Sequence, residues 1–190
     1  MEIGFSAFIK NEGRGYGVFT EYIVYGIMKT VIEFYTEHDG TQPVLLFLND
    51  LQAKSQSNED VRRLYMMVLR GLSFLQRTGV EHALNHISTL EREDGVPYSI
   101  QLVKELKGFR PLLEFRINWR FQDEAGAGAA RILFVNLERK SVSYLVLIRA
   151  IVKSRTRDPA FGQQRDEAFR LLPSFFQNPG QYITLSGEEN

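Results

Sequence analysis

The sequence predicts an α+β fold: two amino-terminal helices and a carboxy-terminal helix on a mostly antiparallel sheet of four to five strands. Three observations predict it. Apolar residues recur at helical spacing across residues 58–79, and they alternate with polar ones across 112–121. The apolar segments after residue 112 are joined by connections too short for a parallel crossover. With 190 residues and 44% hydrophobic side chains, the chain is long and apolar enough for one sizeable core.

The first 27 residues carry Gly13, Gly15 and Gly17 among aromatics, and 18–27 reads as a short strand. With no clear strand before them, these glycines do not form a dinucleotide-binding fingerprint. Residues 29–35 (KTVIEFY) are β-branched and aromatic, hence a strand, closed by a turn at His38-Asp39-Gly40. Pro43 suits a first helical turn, and Val44, Phe47, Leu48 and Leu51 follow at helical spacing. After a polar loop, Asn58 caps the next helix and Glu59 and Asp60 suit its dipole. Val61, Leu64, Tyr65, Val68, Leu72 and Leu75 form its stripe, and Gly79 stops it.

Past a weaker segment, residues 99–106 read as one strand. In 112–121, Leu113, Phe115, Ile117, Trp119 and Phe121 face one way; Glu114, Arg116, Asn118 and Arg120 face the other. A Gly/Ala turn at 125–129 leads to a strand at 131–137. A tight turn at 138–140 then leads into 142–153, apolar enough for a central position. Asp158 caps a last helix with Phe161, Arg165, Ala168, Phe169 and Leu172 inward, ended by Pro173. All helices are expected on one side of the sheet, and the chain beyond Gly180 is expected to be loose.

Composition excludes several functions. There is no cysteine, hence no disulfide scaffold, thiol nucleophile or iron–sulfur centre. Glu2, Lys10 and Glu12 interrupt the start where an export signal needs an apolar run, and no run is long enough for a membrane helix. A cytoplasmic protein without membrane partners is expected. His82 and His86 share a helix face, but Ala83 stands where a zincin needs glutamate, so no metal and no cofactor are expected.

Charge is balanced overall, at 23 basic and 23 acidic side chains, but unevenly placed. Residues 28–95 are net −3, whereas 96–173 hold fourteen basic and eight acidic groups, net +6. In that half the cations lie on or beside strands: Lys104, Lys107, Arg110, Arg116, Arg120, Arg131, Arg149, Lys153 and Arg155. Cations projecting from neighbouring strands suit an RNA backbone, although Arg116 beside Glu114 equally reads as an ion pair.

These residues resemble the RelE/ParE superfamily of bacterial toxins, in particular its phage-derived HigB-like branch. The resemblance rests on Glu33-Phe34-Tyr35, Gly40, Pro43-Val44, Phe47-Leu48 and Leu51, then on a long helix ending at Gly79. It continues through Lys104-Glu105-Leu106, Leu113-Glu114-Phe115-Arg116, Arg131-Ile132-Leu133-Phe134, Ile151-Val152-Lys153, Pro159, Ala168 and Arg170. Ser154 replaces the second lysine of the closing pair. The pattern spans 28 to about 172, which divides the chain into an amino-terminal extension or misassigned start (1–27), a toxin domain (28–173) and a tail (174–190).

The resemblance implies a small RelE-like sandwich and a ribosome-dependent mRNA endonuclease, neutralised by a cognate antitoxin that is a small helix-turn-helix protein. It further implies metal-free attack of a ribose 2′-OH on the adjacent phosphate. Arg116 and Arg131 would hold the phosphate. Lys104, or alternatively Lys153, would transfer the proton, while Lys107, Arg110, Arg120, Arg149 and Arg155 would bind the backbone. Two alternatives remain open: a ParE-like inhibitor of DNA gyrase, and an inactive homologue that keeps only the antitoxin-binding fold.

Overall fold

The computed structural model describes residues 29–120, 127–153 and 158–185. The possible strand at 18–27, the glycine tract before it, Phe121, Ser154 and Arg155 lie outside them. Strand β1 (Lys29–Phe34) is followed by helix α1 (Pro43–Ser55), with Pro43 in its first turn. Helix α2 (Glu59–Asn85) starts where the Asn58 side chain accepts the Val61 N–H at 3.0 Å. At Gly79 the backbone takes φ 78°, a conformation only glycine adopts without strain. The helix therefore breaks there, as expected, but a further stretch to Asn85 follows and buries Val80 and Ala83.

Three short strands come next: β2 (Ser88–Glu91), β3 (Pro97–Ile100) and β4 (Val103–Glu105). The single strand expected over 99–106 is thus two. β3 pairs only with β2, whereas β4 joins the main sheet. Alternation along one segment cannot reveal such a change of sheet. The meander is completed by β5 (Leu113–Arg120), β6 (Ala127–Arg139) and β7 (Val142–Lys153). Ala127 to Ala129, read as turn, begin β6 instead. Ala129 and Ala130 pair with Asn118 and Ile117 on one side and with Lys153 and Val152 on the other. A strand laddered on both sides holds its backbone regardless of the weak propensity of alanine and glycine.

The five-stranded sheet has the order β1-β7-β6-β5-β4, with β1 parallel to β7 and every other pair antiparallel. Its two faces carry separate cores. On one, Ile132, Phe134, Leu145, Leu147, Phe115 and Ile117 meet α1 and α2 through Val44, Leu48, Leu64, Val68, Leu72 and Leu75. On the other, Leu133, Val135, Tyr144, Val146 and Ile148 meet helix α3 (Pro159–Gln177) through Ala168, Leu172 and Phe175. The helices therefore flank the sheet rather than share one side. A strand such as β7, apolar at successive positions, has two faces to cover, and one layer of helices covers only one.

Pro173 does not end α3, which runs on to Gln177. Phe175 is fully buried, and Tyr182 and Ile183 are nearly so. The Tyr182 carbonyl accepts the Thr36 N–H at 2.8 Å, and its ring stacks on Tyr35 at 5.1 Å. The chain just past Gly180 is thus anchored in the second core, not loose: two large apolar side chains outweigh the entropy of a few ordered residues.

Candidate functional site

The polar positions of β5 form a row on the α3 side of the sheet, because each shares its face with its register partner. Lys104 stands opposite Glu114, Glu114 opposite Leu133, Arg116 opposite Arg131, and Asn118 opposite Ala129. None of this row belongs to the apolar cluster under α3. A bulge at Leu133/Phe134 shifts the β6–β7 register, so that Ile148 and Arg149 both turn toward α3. Beyond it, Arg149, Ile151 and Lys153 continue that face. One end of the sheet therefore carries Lys104, Arg116, the buried Arg131 and Lys153 on a single face, with Arg120 in register on β5.

Arg131 is the most enclosed of these. Its Nε donates to Glu114 Oε1 at 2.7 Å, with both side chains only 9% exposed. Its Nη1 donates to the carbonyls of Ile117 and Ala130, and its Nη2 to Asn118 Oδ1 at 2.7 Å. Burial pushes its pKa below the usual value; the Glu114 charge opposes that and Arg116 reinforces it. The neighbour expected to pair with Glu114 was Arg116, but the carboxylate reaches across the sheet instead. Glu114 and Arg131 are diagonal neighbours across β5 and β6, a separation that long side chains span.

Arg116 is left with a different environment. It is half-buried, and its Nε, shielded from solvent, has no hydrogen-bond partner among the described residues. Such a donor costs roughly 1–3 kcal/mol unless an acceptor arrives. Beside it, the Tyr98 hydroxyl donates to the Asn118 carbonyl at 2.6 Å and accepts the Asn118 N–H at 2.8 Å. It closes the edge of β5 that β4 leaves unpaired. Burial raises the Tyr98 pKa, and the Asn118 backbone and the charges of Arg131 and Arg116 counter it.

The other expected residues lie apart in various ways. Lys104 is exposed, and so are Lys107 and Arg110 in the loop before β5, where Arg110 pairs with Glu105 at 2.6 Å. Arg149 is tied to Glu37, to Glu167 at 3.7 Å and to the Ile148 carbonyl, which makes it a brace between β7, α3 and the loop after β1. Lys153 lies over the Phe161 ring at 4.6 Å. Arg155 lies outside the described residues. Sequence reasoning did not single out Asn118 or Tyr98. Alternation placed Asn118 beside Arg116, whereas nothing local could place the hairpin that carries Tyr98.

Among the described residues no group of three or more histidines, acids or cysteines is arranged to hold a metal, and no helix is long and apolar enough to cross a membrane. His82 and His86 stack at 4.5 Å. Comparison of the chain with protein-family models, with curated proteins and with solved structures returns no match.

Proposed function

We propose that this face binds the backbone of an RNA strand, and that the protein is a RelE-like toxin cleaving messenger RNA on the ribosome until an antitoxin covers it. The observation that carries the reading is the shielded, unpartnered Nε of Arg116 on the strand face it shares with Lys104. A phosphate oxygen supplies the acceptor that this guanidinium lacks, in charge-assisted form. The element order adds support: strand, two helices, antiparallel meander and closing helix are the order that the family resemblance implies.

In the cleavage step the ribose 2′-oxygen bonds to phosphorus and the bond to the 5′-oxygen breaks, leaving a cyclic phosphate and a free 5′-hydroxyl. A base takes the 2′-proton and an acid returns one to the leaving oxygen. Arg116 holds the phosphate and offsets the charge that builds on it. Arg131, committed to Glu114 and Asn118, acts from beneath by holding these groups in place. Exposed Lys104, on the same face, is the proton carrier of this scheme, with Lys153 two strand spacings from β5, about 10 Å, as the second candidate.

Induced expression tests this directly. Growth arrest with cuts inside translated messages is expected for the native chain, and loss of both for Arg116→Ala and Lys104→Ala variants that fold normally. Arrest that persists in both folded variants overturns the assignment. Arrest with DNA damage but intact messages replaces it with gyrase inhibition.

A further inference from the structure

The hairpin of β2 and β3 stands apart from the main sheet, and among the described residues β2 pairs with β3 alone. The turn tells which of its backbone groups are spent. The Arg92 N–H donates to the Val96 carbonyl at 3.1 Å, so the alternation of an antiparallel ladder directs Leu90 to Tyr98 and Ser88 to Ile100. Pro97, opposite Glu91, has no N–H to give, which fits a pair that exchanges no backbone bond. The backbone groups of Thr89 and Glu91 therefore point out of the hairpin, along its free edge. There the Glu91 carbonyl accepts Arg70 Nη1, which puts α2 beside that edge. The Thr89 N–H and C=O and the Glu91 N–H have no partner among the described residues. Between the edge and α2 runs a groove of about 760 Å³, with Leu69, Phe74 and Leu90 as its apolar walls and Arg70 and Arg77 as its cations. Glu91 is the one carboxylate of the lining. Neither it nor Glu81, one turn beyond Arg77, forms an ion pair with either guanidinium.

We infer that this groove takes an extended acidic peptide, which adds as a strand to the free edge of β2. Each part answers an observation. An open edge offers donors and an acceptor at the spacing of a strand, and main-chain bonds to it supply affinity whatever the peptide's side chains. Alternate side chains of the added strand turn toward α2, where Leu69, Phe74 and Leu90 give them apolar surface to bury. Carboxylates answer Arg70 and Arg77, whose guanidinium forks have no acid of their own among the described residues. The two arginines lie seven residues apart on α2, about 10 Å along its axis. That distance suits acidic residues two to four positions apart in an extended chain. Arg70, already bonded to the Glu91 carbonyl, marks where the added strand ends, because the ladder is closed beyond it. β2 has only four residues, so the docking site is short and side-chain charge decides which peptides it keeps.

Fluorescence anisotropy of a short, end-blocked, fluorescein-labelled peptide alternating glutamate with valine tests this on the full chain. Saturable binding is expected, at least tenfold weaker for the lysine–valine counterpart. Thr89→Pro removes an outward N–H while leaving the backbone bonds between β2 and β3 in place, since proline is tolerated at an edge position of this kind. It is expected to weaken binding about tenfold. Arg77→Ala, at an exposed position, is expected to do the same, the worth of a charged hydrogen bond, with an effect that shrinks in high salt. No saturable binding of the acidic peptide, equal binding of the lysine peptide, or unchanged binding in both folded variants overturns the inference. So does self-association of the native chain that Thr89→Pro abolishes, because it gives the edge to a second copy of this chain. None of these readings involves Arg116 or growth arrest, so this groove and the proposed RNA face are tested separately.

Discussion

Glu114 and Arg131 show how a polar residue can be at once legible and misread. Their charges and strand face follow from alternation, but their partnership follows only from the register of β5 on β6. Because the pair is enclosed, removing one partner strands the other charge. Glu114→Ala is expected to cost about 3–5 kcal/mol, read as a fall in the denaturant midpoint. Tyr144 is the opposite case. It is fully buried beneath α3, and its hydroxyl has no partner among the described residues. Tyr144→Phe keeps the packing and removes the desolvated oxygen. It is expected to raise stability by about 1 kcal/mol, and a midpoint lower than that of the native protein would contradict it.

At the scale of elements, α2 was the most legible, since a 3.6-residue stripe with an Asn58 cap needs no partner to be recognised. Its packing was not legible. Gly71 sits mid-helix, where glycine is ordinarily about 1 kcal/mol worse than alanine. A Cβ there would come within 2.7 Å of Phe115 Cζ and 3.2 Å of Ile117 Cδ1. Gly71→Ala is therefore expected to destabilise by about 1–3 kcal/mol despite the better propensity, measured by urea unfolding; stabilisation would show that the Phe115 ring yields freely. Boundaries failed where tertiary contacts override local preference. Ala127 to Ala129 became strand because β5 pairs with all three and β7 with Ala129, and α3 passed Pro173 because Phe175 had a core to enter.

For the whole molecule, the sheet separates two cores, and each includes or borders a tyrosine whose pKa burial raises. Tyr35 lies under α3, and Tyr98 packs against the α1–α2 side. A raised pKa means that the folded state keeps its phenol proton after the unfolded chain has lost it. Both contributions are therefore complete below the ordinary value of 10.0 and are lost as pH rises through the higher folded values. Stability is expected to decline above pH 10, by up to about 1.4 kcal/mol per pH unit for each tyrosine. Unfolding midpoints against pH, with phenolate absorbance followed in parallel, check this; Tyr35→Phe should flatten the decline, and a flat native profile would contradict it.

Periodicity, capping residues and turn chemistry are local, so the sequence alone determined the α+β class, the order of helices and main strands, and the row Glu114, Arg116, Asn118 and Arg120 along one strand face. Short-range chemistry carries no information about which distant segment lies alongside. Only the tertiary structure decided that α3 takes the opposite face from α1 and α2, and that a bulge turns Arg149 toward Glu37 and Glu167. It also decided that Arg131 is spent on Glu114 while Arg116 keeps an idle donor, and that the free edge of β2 faces Arg70 and Arg77 across a groove. These depend on register, on the side of the sheet each helix covers and on desolvation, all of which arise from residues far apart in the chain.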